Sequence, residues 1–179
     1  INMAHGEFLT IGAYSTYLLS KLTTDYAPTL QPYYFFGAIA LAFAVAYFVG
    51  YWVERLMISH LYKRPLDTLL ATWGLSLIMQ QVFRSTFGPK EVTATLPDWL
   101  MGSVQPFEGV DIPLNGLFIM AMTAVLTGTI FILLYRSRWG LQVRATMQNR
   151  MMSGAVGINT RKVDRTTFAL GCGVAGVAG

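Results

Sequence analysis

Three residues near the start of the chain can hydrogen-bond or carry charge, and they precede a short apolar run at residues 8–19. They are Asn2, His5 and Glu7. An amide, an imidazole and a carboxylate placed around Gly6 suggest a helix that is broken near this glycine. Unwound backbone is tolerated at membrane depth only where it is buried in protein or lines a cavity, and broken helices often mark transport sites. The alternative is that His5 and Glu7 lie at a membrane interface, before the span begins.

A second set of polar residues recurs at every fourth position in the middle of the chain. Its members are Thr68, Thr72, Ser76, Gln80 and Arg84. On a helix this spacing forms one slowly turning stripe, which is expected to face the bundle interior or a water-filled path. Packing between helices is the alternative, because Ser and Thr allow close approach and hydrogen-bond across the contact. Packing accounts for Thr72 and Ser76 better than for Gln80 and Arg84.

The elements that position these residues have the composition of membrane segments. Of the 179 residues, 54% are hydrophobic and 12% are charged, roughly half the charged share of a soluble domain. Five apolar segments lie at about residues 8–19, 34–53, 66–87, 114–135 and 166–179. The longer ones have about twice the length of a barrel strand and lack its alternation, so they are expected to be helices. The sequence therefore predicts an all-α integral membrane protein, a polytopic bundle of about four to five transmembrane helices.

The basic residues predict the orientation of these helices. Ten of the thirteen Lys and Arg residues fall in two connections, residues 54–65 and 136–165, whereas the opposite side receives only Lys21 and Lys90. Cytoplasmic loops retain an excess of Lys and Arg, so both basic connections are expected in the cytoplasm. Nucleic-acid binding is a poor explanation of the net charge of +4, because the basic residues lie in loops and not on one polar, aromatic-studded face. The opposite connection, residues 88–113, is rich in proline and is expected to form irregular structure or short interfacial pieces, and not a folded domain.

The longer basic connection is also amphipathic. Its apolar residues fall on roughly one helical face, and Gly157 followed by Asn159 is a typical helix stop. Methionines offer the adaptable apolar contact that suits a docking surface, so a helix that docks a cytoplasmic partner is predicted. A helix lying on anionic lipid is the alternative. The apolar face and the methionines comprise Leu141, Ala145, Met147, Met151, Met152 and Val156.

The last apolar segment carries small residues at every fourth position, namely Gly171, Ala175 and Gly179. This spacing predicts a close-packing surface for another helix; a bend near a solute path is the alternative. The segment is shorter than a span and the chain does not begin with Met, so we expect an internal piece of a longer polypeptide.

Sites for metals, nucleotides and covalent catalysis are not expected. The two histidines, His5 and His60, are far in sequence from Cys172, the single cysteine, so no metal-ligand cluster can be assembled. The sequence contains no GxxxxGK[ST] phosphate loop and no nucleophile elbow. No cofactor is therefore predicted, and any driving energy must come from outside the chain.

Several short motifs, in their order and spacing, resemble a known family. They are Asn2 to Glu7, Arg64-Pro65, Gly140 to Ala145 and Gly157-Ile158-Asn159. These motifs are similar to those of the membrane permeases of branched-chain amino-acid-type ABC importers, and the likeness covers nearly the whole chain. Within that family, residues 64–74 and Gln148-Asn149-Arg150 look more like the urea permease of the B type.

The resemblance implies that residues 1–179 form a multi-pass transmembrane permease domain, an internal fragment, in a bacterial inner (plasma) membrane. It implies partners: a second homologous permease subunit, cytoplasmic ATPase subunits and an extracytoplasmic solute-binding protein. The chain itself would be no enzyme, and residues 136–165 would be the loop that couples it to the ATPase. The residues expected to serve that coupling are Gly140, Leu141, Arg144, Ala145, Arg150, Met152, Gly157, Ile158 and Asn159.

Urea is the substrate that the resemblance favours. A path for this small, neutral molecule needs a few hydrogen-bonding groups and no strong charge. Asn2, Thr72, Ser76 and Gln80 have that chemistry, while His5 or Glu7 could act at a gate. Branched-chain amino acids are the alternative within the importers, and a zwitterion needs counter-charges. A passive urea or small-solute channel would need no docking loop, and a membrane enzyme is disfavoured because no nucleophile has a nearby base.

Overall fold

The computed structural model describes residues 3–26, 34–89 and 102–179, and most of these residues are helical. The helices are α1 (His5–Tyr26), α2 (Tyr34–Leu56), α3 (Pro65–Phe87), α4 (Leu114–Arg136), α5 (Arg138–Gln148), α6 (Arg150–Ala155) and α7 (Thr160–Ala178). A short 3₁₀ helix at Ile58–His60 follows α2. Each of the five apolar segments contributes to a helix, and the predicted all-α membrane helix bundle is confirmed.

Two helices have the length and composition to cross a membrane, within the described parts of the chain. They are Phe36–His60 and Leu114–Arg136. Helix α3 is as long as α4, with 23 residues each, but its polar stripe makes it less apolar. Helix α4 has no buried residue, as expected of a helix whose surroundings are lipid or further protein.

Helix α1 is continuous, so the predicted break near Gly6 is wrong. The helix begins at His5 and runs through Gly6 to Tyr26. Gly6 lies in the first turn, beside the Glu7 N–H that donates to the Ala4 carbonyl at 3.0 Å. A carboxylate in this first turn also suits the positive end of the helix dipole. The described residues thus show no interruption of α1 at Gly6.

The chain divides into two compact units, and the first comprises residues 1–95 and 164–179. It contains α1, α2, α3 and most of α7. Its core is built from large and small apolar side chains of α1, α2 and α7, namely Phe8, Ile11, Ala46, Cys172 and Ala175. The small members let helix backbones approach closely, which is the usual basis of helix association in membranes.

Helix α7 approaches its neighbours through Gly173, Gly176 and Gly179. A Cβ on Gly176 would lie 2.8 Å from the Ala42 carbonyl oxygen, and one on Gly179 would collide with the Leu9 carbonyl oxygen. Gly171 lies outside this contact, since a Cβ there would meet no atom within 4 Å. The predicted four-residue spacing thus includes one wrong position, because the contact surface follows the helix turn from Cys172 onward.

The second unit comprises residues 96–163 and is described from residue 102. Strands β1 (Ser103–Phe107) and β2 (Val110–Pro113) pair antiparallel and turn at Gly109, whose φ is 85°. The expectation of irregular structure is therefore wrong for these residues, because Glu108-Gly109 provides a hairpin turn. Helices α4, α5 and α6 follow in chain order.

Candidate functional site

Helix α3 presents the polar stripe, and both of its ends are defined by local sequence. Pro65 occupies the first turn, where its missing N–H costs no helical hydrogen bond. Asp67 pairs with Arg64 at 3.5 Å across one turn. The helix ends at Gly88, which adopts a φ of 86°, a conformation that glycine adopts without strain. The helix is continuous over its 23 residues, so the polar residues at every fourth position remain on neighbouring turns.

Helix α1 runs parallel to α3. Near its start the Met3 N–H donates to Thr72 Oγ1 at 3.1 Å. Further along, the rings of Tyr14 and Phe87 stack with centroids 4.1 Å apart. Because residue numbers rise together in both helices, the first turn of α1 lies beside the middle of α3. This arrangement determines which stripe residue each α1 side chain meets.

The central contact is a carboxylate held by two donors. Glu7 Oε1 accepts hydrogen bonds from Ser76 Oγ at 2.9 Å and from Gln80 Nε2 at 2.8 Å. The two donors lie four residues apart on α3, so they project from one face. Hydrogen bonds to an ionised acceptor are about twice as strong as neutral ones. Three residues that the sequence marked separately are thus brought together.

Glu7 lies at half the height of α3. Ser76 is the middle residue of the helix, eleven residues from Pro65 and eleven from Phe87, or roughly 17 Å from each end. Ionisable groups inside membrane-spanning helix bundles are rare and usually mark a substrate or ion pathway. Glu7 is half-buried and Gln80 is exposed, so the site is open on one side.

Thr72 anchors α1. It is completely buried, and its Oγ1 accepts the Met3 N–H while lying 2.8 Å from the Thr68 carbonyl oxygen. Its hydroxyl is therefore satisfied by the protein itself. The described side chain does not reach the open side of the site, so Thr72 supports the site instead of lining it.

Asn2 and His5 were also predicted to line the substrate path. Asn2 lies outside the described residues. His5 is exposed at the start of α1, and within the described part of the chain no hydrogen bond joins it to the stripe. Glu7, and not His5, is therefore the ionisable group that α3 positions.

The basic connection forms two helices, so the prediction of one continuous amphipathic helix is wrong. Asn149 separates α5 from α6 with extended backbone angles, φ −152° and ψ 98°. Its side-chain oxygen accepts the Met152 N–H at 3.0 Å, which is the hydrogen bond of an N-cap. Leu141 and Val156 consequently belong to different helices and share no helical face.

The segment Gly157-Ile158-Asn159 connects α6 to α7, as a helix stop should. Gly157 has a φ of 92°, and its N–H donates to the Gly154 carbonyl at 3.2 Å. The Ile158 N–H donates to the Ser153 carbonyl at 3.0 Å, which completes a Schellman motif. The Asn159 side chain then accepts a backbone N–H in the first turn of α7. These residues end α6 and begin α7.

Helices α5 and α6 expose a methionine-rich apolar surface. Its exposed members are Leu141, Met147, Met151, Met152 and Val156. Met151 is 87% exposed and Met147 is 81% exposed, values that are unusual for large apolar side chains unless something covers them. Met is well suited to such a surface because it adapts to its partner.

Other residues predicted for the coupling loop have structural surroundings. A Cβ on Gly140 would collide with backbone carbonyl oxygens at the end of α4, so this glycine permits the tight α4–α5 corner. The Arg144 guanidinium lies 5.0 Å from the Tyr135 ring centroid, a cation–π contact. Ala145 is half-buried and Arg150 is exposed.

A buried ion pair between α2 and α7 was missed by sequence reasoning. Glu54 is 1% exposed, and its Oε2 lies 3.3 Å from Arg165 Nε. Its Oε1 accepts a hydrogen bond from Tyr62 at 3.1 Å. From the sequence, Glu54 and Arg165 were placed in the two basic connections, residues 54–65 and 136–165. The sequence does show an acid, Glu54, at the end of the aromatic-rich apolar segment, but it does not indicate which residue pairs with it.

The sequence of the chain matches a known family and several of its members. The family model described as branched-chain amino acid transport system / permease component matches residues 1–179. The high-affinity branched-chain amino acid transport system permease protein LivH of Salmonella typhimurium is 32% identical over 190 residues, with 100% of this chain and 59% of that protein covered. LivH of Escherichia coli K12 is 31% identical over 190 residues, with the same coverage.

A more distant relative belongs to the same class of transport protein. The high-affinity branched-chain amino acid transport system permease protein BraD of Pseudomonas aeruginosa is 27% identical over 181 residues, with 99% of this chain and 59% of that protein covered. The chain spans about three fifths of the length of these relatives. No solved structure matches it significantly. The chain therefore belongs to the branched-chain amino acid transport system permease family.

Proposed function

We propose that the chain is part of a permease subunit of an ATP-driven importer that moves branched-chain amino acids across a bacterial inner membrane. The family match and the names of the relatives support this class of substrate. The observation that carries the proposal is the Glu7 carboxylate, held by Ser76 and Gln80 at the midpoint of α3. A zwitterion needs a counter-charge inside the path, and Glu7 supplies a negative one.

Urea is the less well supported substrate. The relatives described above carry the name of amino-acid transport, and none of their names mentions urea. A neutral molecule gains little from a carboxylate at mid-membrane height, where a charge is costly to keep. The urea-like motifs at residues 64–74 and 148–150 lie at the start of α3 and at the α5–α6 break, and neither contains Ser76 or Gln80, the two residues that donate to Glu7.

The membrane arrangement and the partners are part of the proposal. The chain would cross the membrane several times, with the basic connections at residues 54–65 and 136–165 in the cytoplasm. A second homologous permease, two ATPase subunits and a solute-binding protein would complete the importer. ATP hydrolysis would then take place outside this chain. Transport would follow alternating access, in which ligands shift the balance only by binding the two states differently.

The methionine-rich surface of α5 and α6 would be the contact with the ATPase. It is exposed and apolar. Asn149 caps the turn between α5 and α6, and Gly157 caps the turn between α6 and α7. Helix α7 packs on α1 and α2 through its glycines.

Uptake in cells tests the proposal. The complete subunit, with its partners, is returned to a strain that lacks branched-chain amino acid uptake, and labelled leucine and labelled urea are offered separately. We expect leucine uptake that is lost when ATP is depleted or the binding protein is deleted. Urea uptake without leucine uptake would reject the substrate, and uptake that survives ATP depletion would indicate a passive channel.

A further inference from the structure

The negative charge of Glu7 has no partner of opposite charge in the described part of the chain. The acids of the Arg64–Asp67 and Glu54–Arg165 ion pairs are other residues. Both donors that reach Glu7, Ser76 and Gln80, bind the same oxygen, Oε1. Within residues 3–26, 34–89 and 102–179, nothing donates to Oε2. One oxygen is therefore fixed, and the other can accept a further donor.

We propose that Glu7 Oε2 binds the ammonium group of the amino acid as the substrate passes the middle of the membrane. This inference rests on the proposed function and adds the group that is recognised and the atom that recognises it. Substrates would then need a protonated amine, and the carboxylate would discriminate against neutral amides of similar size. Hydrogen bonds between charged partners are shorter and stronger than neutral ones, and the low dielectric at that depth strengthens them further.

Ser76 and Gln80 act as positioning residues. Ser76 is 7% exposed and its hydroxyl donates to the carboxylate, so the hydroxyl cannot also serve the substrate as a donor. The two hydrogen bonds hold the carboxylate against α3 before the substrate arrives. Such preorganisation lowers the entropy lost on binding. Loss of either donor should weaken transport less than loss of the charge itself.

Glu7→Gln is the decisive variant, because it keeps an acceptor oxygen and removes the charge. The measurement is leucine transported per ATP hydrolysed, in proteoliposomes that contain the full importer and loaded binding protein. We expect a fall of at least about tenfold, while the ATPase activity stimulated by the binding protein persists. Asp67→Asn is the matched control, since it removes a carboxylate that is 50% exposed on α3, the helix that carries Ser76 and Gln80. The control should retain the wild-type ratio.

A charge exchange keeps the test valid even if Glu7→Gln weakens the protein. The double variant Glu7→Gln/Gln80→Glu returns one carboxylate and one amide to the same contact, and we expect it to recover a measurable part of leucine transport. A Glu7→Gln importer with the wild-type ratio would overturn the inference, as would a charge exchange no better than Glu7→Gln. The inference would also be overturned if the Glu7→Gln importer failed to assemble and the double variant assembled again. The charge would then be required for the stability of the protein and not for substrate binding. Wild-type importer that fails to transport leucine would instead reject the proposed function.

Discussion

At the scale of single residues, the polar stripe of α3 serves two purposes that sequence alone could not separate. Thr72 and Ser76 have similar side chains and lie one helical turn apart. The first is satisfied by a backbone N–H of α1, and the second by a carboxylate of α1. These partners are 69 residues away in the chain, and helical periodicity carries no information about contacts at that distance.

Replacement of Thr72 tests the anchoring role. Thr72→Val keeps the shape and removes the acceptor, so the part-buried hydrogen bond from the Met3 N–H is lost. We expect a loss of about 1–3 kcal/mol in the free energy of unfolding, measured as a lower melting temperature of the purified subunit in detergent. Thr72→Ser keeps the hydroxyl and should stay close to the wild type. Equal melting temperatures for the Thr72→Val variant and the wild type would show that the Met3–Thr72 hydrogen bond does not stabilise the protein.

At the scale of elements, hydrophobic segments were predicted well and their ends less well. Apolar length identified all five long helices, but α7 begins at Thr160, six residues before the apolar run. The break at Asn149 was missed because a side-chain cap depends on one residue, whereas periodicity averages over many. The hairpin was missed for the same reason, since a single Glu108-Gly109 turn decides it.

A pair of glycine variants tests how α7 packs. Gly176→Ala places a Cβ 2.5 Å from the Ala46 Cβ and 2.8 Å from the Ala42 carbonyl oxygen. We expect destabilisation of about 1–3 kcal/mol, visible in thermal unfolding. Gly171→Ala is the matched control, since its Cβ meets open space and alanine favours the helix by up to about 1 kcal/mol. Equal effects of the two variants would contradict this packing of α7.

The docking surface has its own test. Met151→Asp places a charge on a side chain that is 87% exposed, so insertion and folding should be preserved. We expect weaker copurification of the ATPase and a loss of at least about tenfold in transport-coupled ATP hydrolysis, because a charge must be desolvated at an apolar contact. Gln148→Asp adds the same charge without removing an apolar contact and should have a smaller effect. Comparable results for both variants would argue against an apolar interface. Arg144 is less suitable for this test, because it stacks on Tyr135.

At the scale of the whole molecule, composition identified a membrane protein and short motifs identified its family. The substrate was the weaker prediction. Urea was favoured on motifs at the start of α3 and at the α5–α6 break, and these motifs do not include the residues that bind Glu7. Recognition of a zwitterion depends on a charge inside the membrane, and the position of Glu7 became clear only when α1 and α3 were placed side by side. The amphipathic character of the basic connection could be recognised from sequence, although its division into two helices could not.

Concentrative transport by the purified importer tests the central claim most directly. The complete subunit is reconstituted with its partner permease and ATPase subunits, with ATP on the side of the ATPase and loaded binding protein on the other. The account predicts that labelled leucine accumulates against its gradient only when ATP is hydrolysed, and that labelled urea does not accumulate. Accumulation of urea but not leucine, or equilibration of leucine without ATP, would contradict it.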